Sequence, residues 1–142
     1  MQTWEKIDVW QWGATSSERL AGVNALLVEV LNLARDKGCP ELTIPPHGGA
    51  RTLLGQAELV GGGTSWTLNS KHRVDERRHT VGRDKSAAVD VAPWPIDWDD
   101  VERFQVVAAF ILAAAMRRGV DLEWGGLWRQ KDWGHFELRG DA

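Results

Sequence analysis

Apolar residues recur at helical spacing twice along this chain. Leu20, Val23, Leu26, Leu27, Val30, Leu31 and Ala34 follow one another at intervals of one to four, which gathers them on one face of a helix. Thr15-Ser16-Ser17-Glu18 ahead of them has the spacing of a capping box, and Lys37-Gly38 closes the run, so one continuous first helix is predicted. Val101, Phe104, Val107, Ala108, Ile111, Leu112 and Ala115 repeat the pattern after a turn ending in Asp97, Asp99 and Asp100, and Gly119 ends it; the acids suit a helix start and the glycine a helix end. A shorter helix is predicted over residues 52–60, ahead of Gly61-Gly62-Gly63.

Between the helices the period changes from helical to alternating. Residues 41–44 read as a short strand stopped by Pro45-Pro46, since proline removes a ladder donor. Residues 87–92 alternate, with Ala88, Asp90 and Ala92 on one face and Val89 and Val91 on the other. Residues 120–124 form another strand, and in residues 135–138 Phe136 and Leu138 share one face while His135 and Glu137 share the other. Residues 1–14, with Trp4, Trp10 and Trp12, show little periodicity and read as an arm packed across the body. Residues 64–72 are polar and loop-like, and the charged residues 73–86 read as an exposed loop, either a solvated excursion or a flap facing a substrate. This order predicts an α+β fold, a small, largely antiparallel sheet with packed helices, in a single domain over residues 1–142.

Composition narrows the function. A length of 142 residues, 43% hydrophobic and 26% charged, is that of one ordinary globular domain. A net charge of −3 offers no basic surface for holding nucleic acid. No apolar run reaches membrane-spanning length, and the N-terminus lacks a secretory pattern. Synthesis in the cytoplasm without stable membrane association is expected. The single Cys39 cannot form an internal disulfide or a cysteine zinc framework, so any metal is held by His and carboxylate. Nine Trp and no Tyr supply flat rigid surfaces that fill cores or stack on ligands.

The candidate chemistry lies at element ends. Asp132 stands three residues before His135, and Ser70-Lys71-His72 and Ala88-Val89-Asp90 lie upstream. A histidine on a strand face beside a turn carboxylate serves a metal or is a satisfied structural residue, and the pattern alone leaves both open. Asp90 has small neighbours that leave room for an ion beside it. The placement favours a cleft lined by His72, Asp90 and His135.

Together, Leu20-Ala21-Gly22-Val23, Gly49-Ala50-Arg51-Thr52 with Gln56, Ser70-Lys71-His72, Ala88-Val89-Asp90, Trp124-Gly125-Gly126 and Asp132-Trp133-Gly134-His135-Phe136-Glu137 resemble the D-alanyl-D-alanine carboxypeptidase and L-alanyl-D-glutamate endopeptidase family of zinc metallopeptidases (VanY-like), especially its short phage endolysins. The resemblance implies that His72, Asp90 and His135 hold a zinc ion and that Asp132 is the general base. It further implies that Arg51 stabilises an oxyanion or an acidic substrate group, and that Gln56 hydrogen-bonds the substrate peptide. Three protein ligands suit a catalytic zinc with an open fourth position. Glu137 either orients the His135 imidazole or faces solvent. Two departures stand out. The charged loop separates His72 from Asp90 and brings in His79 as a rival ligand, and Leu127 follows Trp-Gly-Gly where relatives often carry Asp. His47 reads as a loop residue.

The resemblance therefore implies a zinc-dependent peptidoglycan peptidase, an endolysin that cuts the L-alanyl-D-glutamate bond of the stem peptide. It would act as a monomer, made in the host cytoplasm and reaching the wall after the membrane is permeabilised. The alternatives are a D-alanyl-D-alanine carboxypeptidase on the same fold and a non-catalytic zinc-binding module.

Overall fold

The two strongly periodic segments meet as packed helices, and the alternating segments form two small sheets beside them. The computed structural model describes residues 9–63, 70–74 and 84–140. Trp4, Trp66, His79 and most of the charged loop lie outside the described residues.

The chain runs α1 (Ala14–Leu20), α2 (Ala25–Asp36), β1 (Leu42–Thr43), α3 (Leu53–Gly61), β2 (Ala88–Asp90), β3 (Ala92–Pro93), α4 (Val101–Arg118), β4 (Leu122–Trp124) and β5 (His135–Leu138), with a 3-10 turn over Gly125–Leu127. β1 pairs with β3, and β2, β5 and β4 form a second sheet with β5 in the centre. All three pairings are antiparallel, and the fold is α+β. Helix α2 packs on α4. Leu27, Val30 and Leu31 of α2, Val107 and Ile111 of α4, and Val89 and Phe136 of the sheet belong to one buried cluster. Each such large side chain contributes about 1.5–3 kcal/mol on burial. Helix α4 begins at Asp100, whose side chain accepts from the Arg103 N–H, and ends at Gly119 with φ 73°, the left-handed conformation that glycine adopts without strain. Among the described residues, no helix is long and apolar enough to cross a membrane.

The expected continuous first helix is two. Gly22 lies where a Cβ would come 2.8 Å from the Ala50 Cβ, and its carbonyl accepts from the Ser86 N–H at 2.8 Å. Ser86 in turn accepts from the Asn24 N–H at 2.9 Å. The helix breaks because these backbone groups are spent on another segment, and Asn24 restarts it by accepting from the Leu26 N–H. The capping box is not used either. Gly13 stands at the N-cap, Thr15 is an exposed position inside α1, and Ser16 is buried. The Ser16 Oγ accepts from the Ile44 N–H at 3.0 Å and lies 3.1 Å from Thr43 Oγ1, tying α1 to β1. The predicted strand over residues 87–92 is also divided. Val91 gives its N–H to the Gly134 carbonyl, and the chain passes from one sheet to the other with every residue from Ala87 to Ala92 buried except Asp90, which opens to the cleft. The charged loop is anchored by buried ends, Arg73 and Ser86.

Ser16→Ala leaves the buried Ile44 N–H without its acceptor and is expected to cost about 1–3 kcal/mol in chemical denaturation. Thr15→Ala is expected to be nearly neutral, whereas loss of a true capping residue would cost about 1 kcal/mol.

Candidate metal centre

The strand period sets the site. Phe136 and Leu138 enter the core, which turns His135 and Glu137 to the opposite face of β5. Antiparallel register then places Asp90 of β2 directly opposite His135. His72 comes from a separate segment stitched in from both sides. Arg51 donates its N–H to the His72 carbonyl at 2.7 Å, Val74 donates to Arg51 at 2.8 Å, and Ala87 donates to Lys71 at 2.8 Å.

Three atoms converge where these elements meet. His72 Nε2 lies 3.2 Å from Asp90 Oδ1 and 3.3 Å from His135 Nδ1, and His135 Nδ1 lies 3.0 Å from the same Asp90 oxygen. The other nitrogen of each ring determines what these atoms are. His72 Nδ1 stands 2.8 Å from the Gly49 carbonyl, which can only accept, so Nδ1 carries the proton and Nε2 presents a lone pair. His135 Nε2 donates to Glu137 Oε1 at 2.8 Å, leaving the Nδ1 lone pair directed inward. With both rings neutral, two nitrogen lone pairs and a carboxylate oxygen face one another, and they repel unless a cation, either a metal ion or a proton, lies among them.

The donor set fits a metal ion. Ligand atoms at bond lengths of about 2.0–2.1 Å around a tetrahedral ion stand about 3.3 Å apart, close to the separations found. His72, Asp90 and His135 form the group of metal-competent side chains found among the described residues. In the absence of a metal ion a proton takes the cation's place. Burial opposes a charged His135, yet its hydrogen bonds to Asp90 and Glu137 outweigh that and lift its pKa to about 9. Burial would also raise the Asp90 carboxyl, but the two histidines hold it well below the usual carboxylate range.

A surrounding layer fixes these groups. Arg51 donates from Nη2 to Asp90 Oδ2 at 3.1 Å, from Nη1 to Gln56 Oε1 at 3.1 Å and from Nε to the His47 carbonyl at 2.7 Å. Three of its five N–H donors are thus used. Burial pushes the Arg51 pKa down, against the pull of Asp90 and Asp132. Gln56 is fully buried, placed beneath Arg51. The Lys71 ammonium lies 3.3 Å from Glu137 Oε2 and donates to the Leu138 and Gly140 carbonyls at 2.5 and 3.1 Å. Burial opposes ionisation of Glu137, but the contacts from His135 and Lys71 prevail and lower its pKa.

Asp132 sits at the edge of the triad, its Oδ2 3.9 Å from His135 Nδ1 and its side chain 43% exposed. Burial, then the Asp90 charge, pushes its carboxyl above the ordinary value. The Trp128 ring lies 4.9 Å from the His135 ring, with its indole N–H given to Glu123. All of this opens onto a cleft of about 1250 Å³ whose walls include Arg51, Leu59, Trp98, Trp128 and Lys131. His47 is an exposed loop residue on the same cleft, with φ 64°.

The structure brings His72, Asp90, His135, Asp132 and Arg51 to one cleft and puts Gln56 behind it. Leu127 points outward, 72% exposed. Sequence reasoning gave no part to Lys71, although it stands inside the Ser-Lys-His motif, because its partners Leu138 and Gly140 are distant in sequence. Trp128 was likewise passed over among nine tryptophans. The Gly49 carbonyl carries no sequence signal at all.

Comparison with known proteins follows the same lines. The sequence profile of the family described as phage L-alanyl-D-glutamate peptidase matches residues 8–140. The chain is 28% identical over 132 residues to the L-alanyl-D-glutamate peptidase of Escherichia phage T5, covering 91% of this chain and 89% of that one. It is similar to the crystal structure of the Serratia marcescens L-Ala D-Glu endopeptidase ChiX, with a TM-score of 0.72, 31% identity, and coverage of 94% of this chain and 92% of that chain.

Removing Glu137 frees the His135 ring to rotate and change tautomer. Glu137→Ala is expected to weaken divalent-cation binding about 10- to 100-fold in competition titration against a chelator. Lys71→Met should act in the same direction and less strongly, because Glu137 retains its bond to His135.

Proposed function

The chain belongs to the phage L-alanyl-D-glutamate peptidase family, and on that premise we propose that it is a zinc-dependent endopeptidase cutting the L-alanyl-D-glutamate bond of the peptidoglycan stem peptide. The observation that carries this reading is the convergence of three acceptor atoms on one point, with a fourth, half-exposed carboxylate 3.9 Å from one of them. That is the pattern of three ligands and a base.

In this reading His72 Nε2, Asp90 Oδ1 and His135 Nδ1 hold the ion. When bound, zinc supplies a Lewis acid that acidifies a water and polarises the peptide carbonyl. Two neutral imidazoles and one carboxylate preserve a net positive charge at the centre, which that chemistry needs. Asp132 takes a proton from the attacking water onto its carboxylate and delivers it to the leaving amine nitrogen of the D-glutamyl residue. Arg51, clamped by Gln56 and the His47 carbonyl, keeps Asp90 turned to the centre through its bond to Oδ2, and directs its remaining N–H donors to charge developing on the carbonyl oxygen. Gln56 serves the substrate through Arg51. Trp128 covers one side of His135 and limits water there. Residues 1–142 act as one catalytic domain and as a monomer, on the cell wall, once the membrane has been breached.

Digestion of purified peptidoglycan, followed by mass analysis, tests the reaction. New N-terminal D-glutamate that disappears with a chelator and returns with added zinc is the expected result. Released D-alanine would assign the carboxypeptidase reaction instead, and bound zinc without cleavage would leave a binding module. Asp132→Ala is expected to retain zinc and fold while cleaving about 10²- to 10⁴-fold more slowly. Wild-type cleavage by this variant would remove Asp132 as the base.

A further inference from the structure

A peptidase that cuts between L-alanine and D-glutamate works next to a sugar. The L-alanine nitrogen is joined by an amide to the lactyl group of muramic acid, so the glycan strand begins one residue from the scissile carbonyl. The cleft must accommodate that sugar or turn it to solvent.

Trp98 is shaped to receive it. It lines the same cleft as His72, Asp90 and His135 and remains 57% exposed. One face of its ring is supported, because the indole stacks on the buried Phe104 with centroids 5.5 Å apart and planes 19° from parallel. The segment that carries it is fixed at several points. Arg103 donates to the Pro95 and Trp94 carbonyls at 2.7 and 2.9 Å, and Trp94 donates its N–H to the Glu41 carbonyl at 2.9 Å. Asp97 accepts from the Asp99 N–H at 3.0 Å, which closes the turn around Trp98. A large indole held flat from beneath and bare above binds flat amphipathic ligands at little ordering cost. The apolar C–H face of a pyranose is such a ligand. The cleft is broad, about 1250 Å³, and open enough to take an extended ligand.

We propose that Trp98 is a sugar-stacking platform for the glycan strand on the L-alanine side of the cut, a specificity-determining residue that favours wall-attached over free stem peptides. This rests on the reading of the site as an L-alanyl-D-glutamate endopeptidase.

The test compares a disaccharide-linked stem peptide with an N-acetylated stem peptide lacking sugar, for wild type, Trp98→Ala and Trp98→Phe. Trp98→Ala is expected to lower the ratio of kcat/KM for the sugar-linked over the sugar-free substrate about three- to tenfold, mainly through KM. Trp98→Phe should keep part of the preference, and zinc content should not change. An unchanged ratio would overturn the platform while leaving the peptidase reading intact. A second measurement does not depend on cleavage: indole N–H signals followed by NMR during titration with peptide-free glycan strands. A wild-type shift that Trp98→Ala abolishes supports the platform even if neither substrate is cut, in which case the peptidase reading fails alone. Absence of any shift together with an unchanged ratio rejects the platform on both counts.

Discussion

The in-register pairing of β2 with β5 is the constraint on which the site depends. Asp90 and His135 are cross-strand partners, and a slip of one residue would turn the slipped strand's half of the pair from the cleft into the core. The triad is a poor source of register, because with both rings neutral its three inward atoms are all acceptors and push one another apart until a cation lies among them. The hold comes from one position deeper. Val89 and Phe136 are also cross-strand partners, both fully buried, and Trp124 of β4 faces Phe136 from the other side. The apolar face of β5 thus supplies the rigidity that its polar face needs.

A second requirement concerns protons. Each imidazole can present a lone pair inward only while its other nitrogen has somewhere to donate. For His135 the acceptor is Glu137, two residues along the same strand. For His72 it is the Gly49 carbonyl, and that placement depends on the absence of a side chain: a Cβ on Gly49 would stand 2.0 Å from the Arg19 carbonyl. Arg19 in turn donates to the Ile44 carbonyl at 2.7 Å. The end of α1, the loop after β1 and the His72 tautomer are therefore linked, through the Arg19 guanidinium, the His72 ring and the backbone carbonyls they meet. A helix that looks remote from the chemistry participates in it.

This explains what could be read in advance. The alternation of His135 against Phe136 and the place of Asp90 between alanines left a metal and a structural histidine both open, and it was the family resemblance, carried by the Ser-Lys-His and Trp-Gly-Gly motifs, that singled out His72, Asp90 and His135; the structure brings these three together. Helix α4 was legible because both its ends have local signals, Asp100 and Gly119. The break between α1 and α2 was not, since an apolar period continues across Gly22 and only the distant Ser86 withdraws the backbone bonds. The division of residues 87–92 between two sheets was hidden for a similar reason. Gly134, far along the chain, captures the Val91 N–H, and small alanines conceal that every residue of the segment except Asp90 is buried. Arg51 and Gln56 stood out as site residues, but their direction, inward to Asp90 and beneath it, is a tertiary fact. The same holds for Lys71, whose acceptors lie beyond the last strand.

In the proposed mechanism, the difference in exposure between the three ligands and the base separates holding from chemistry. The side chains of His72 and His135 are 2% and 7% exposed, and that of Asp132 is 43% exposed. Ligands benefit from being immobile and shielded. A base must meet water and substrate, and it must reorient as its proton moves from one to the other. Freedom of that kind risks losing position, and the backbone limits it. Asp132 donates its N–H to the Gly125 carbonyl at 3.0 Å and its carbonyl accepts from the His135 N–H at 3.3 Å, so the backbone is fixed while the carboxylate stays open to the cleft. Gly125 allows this closeness, since a Cβ there would stand 2.5 Å from the Asp132 carbonyl and 3.1 Å from the His135 Cβ. The three-residue offset between acid and histidine is the span of that turn. It ties the exposed carboxylate to the buried histidine through a single turn of chain.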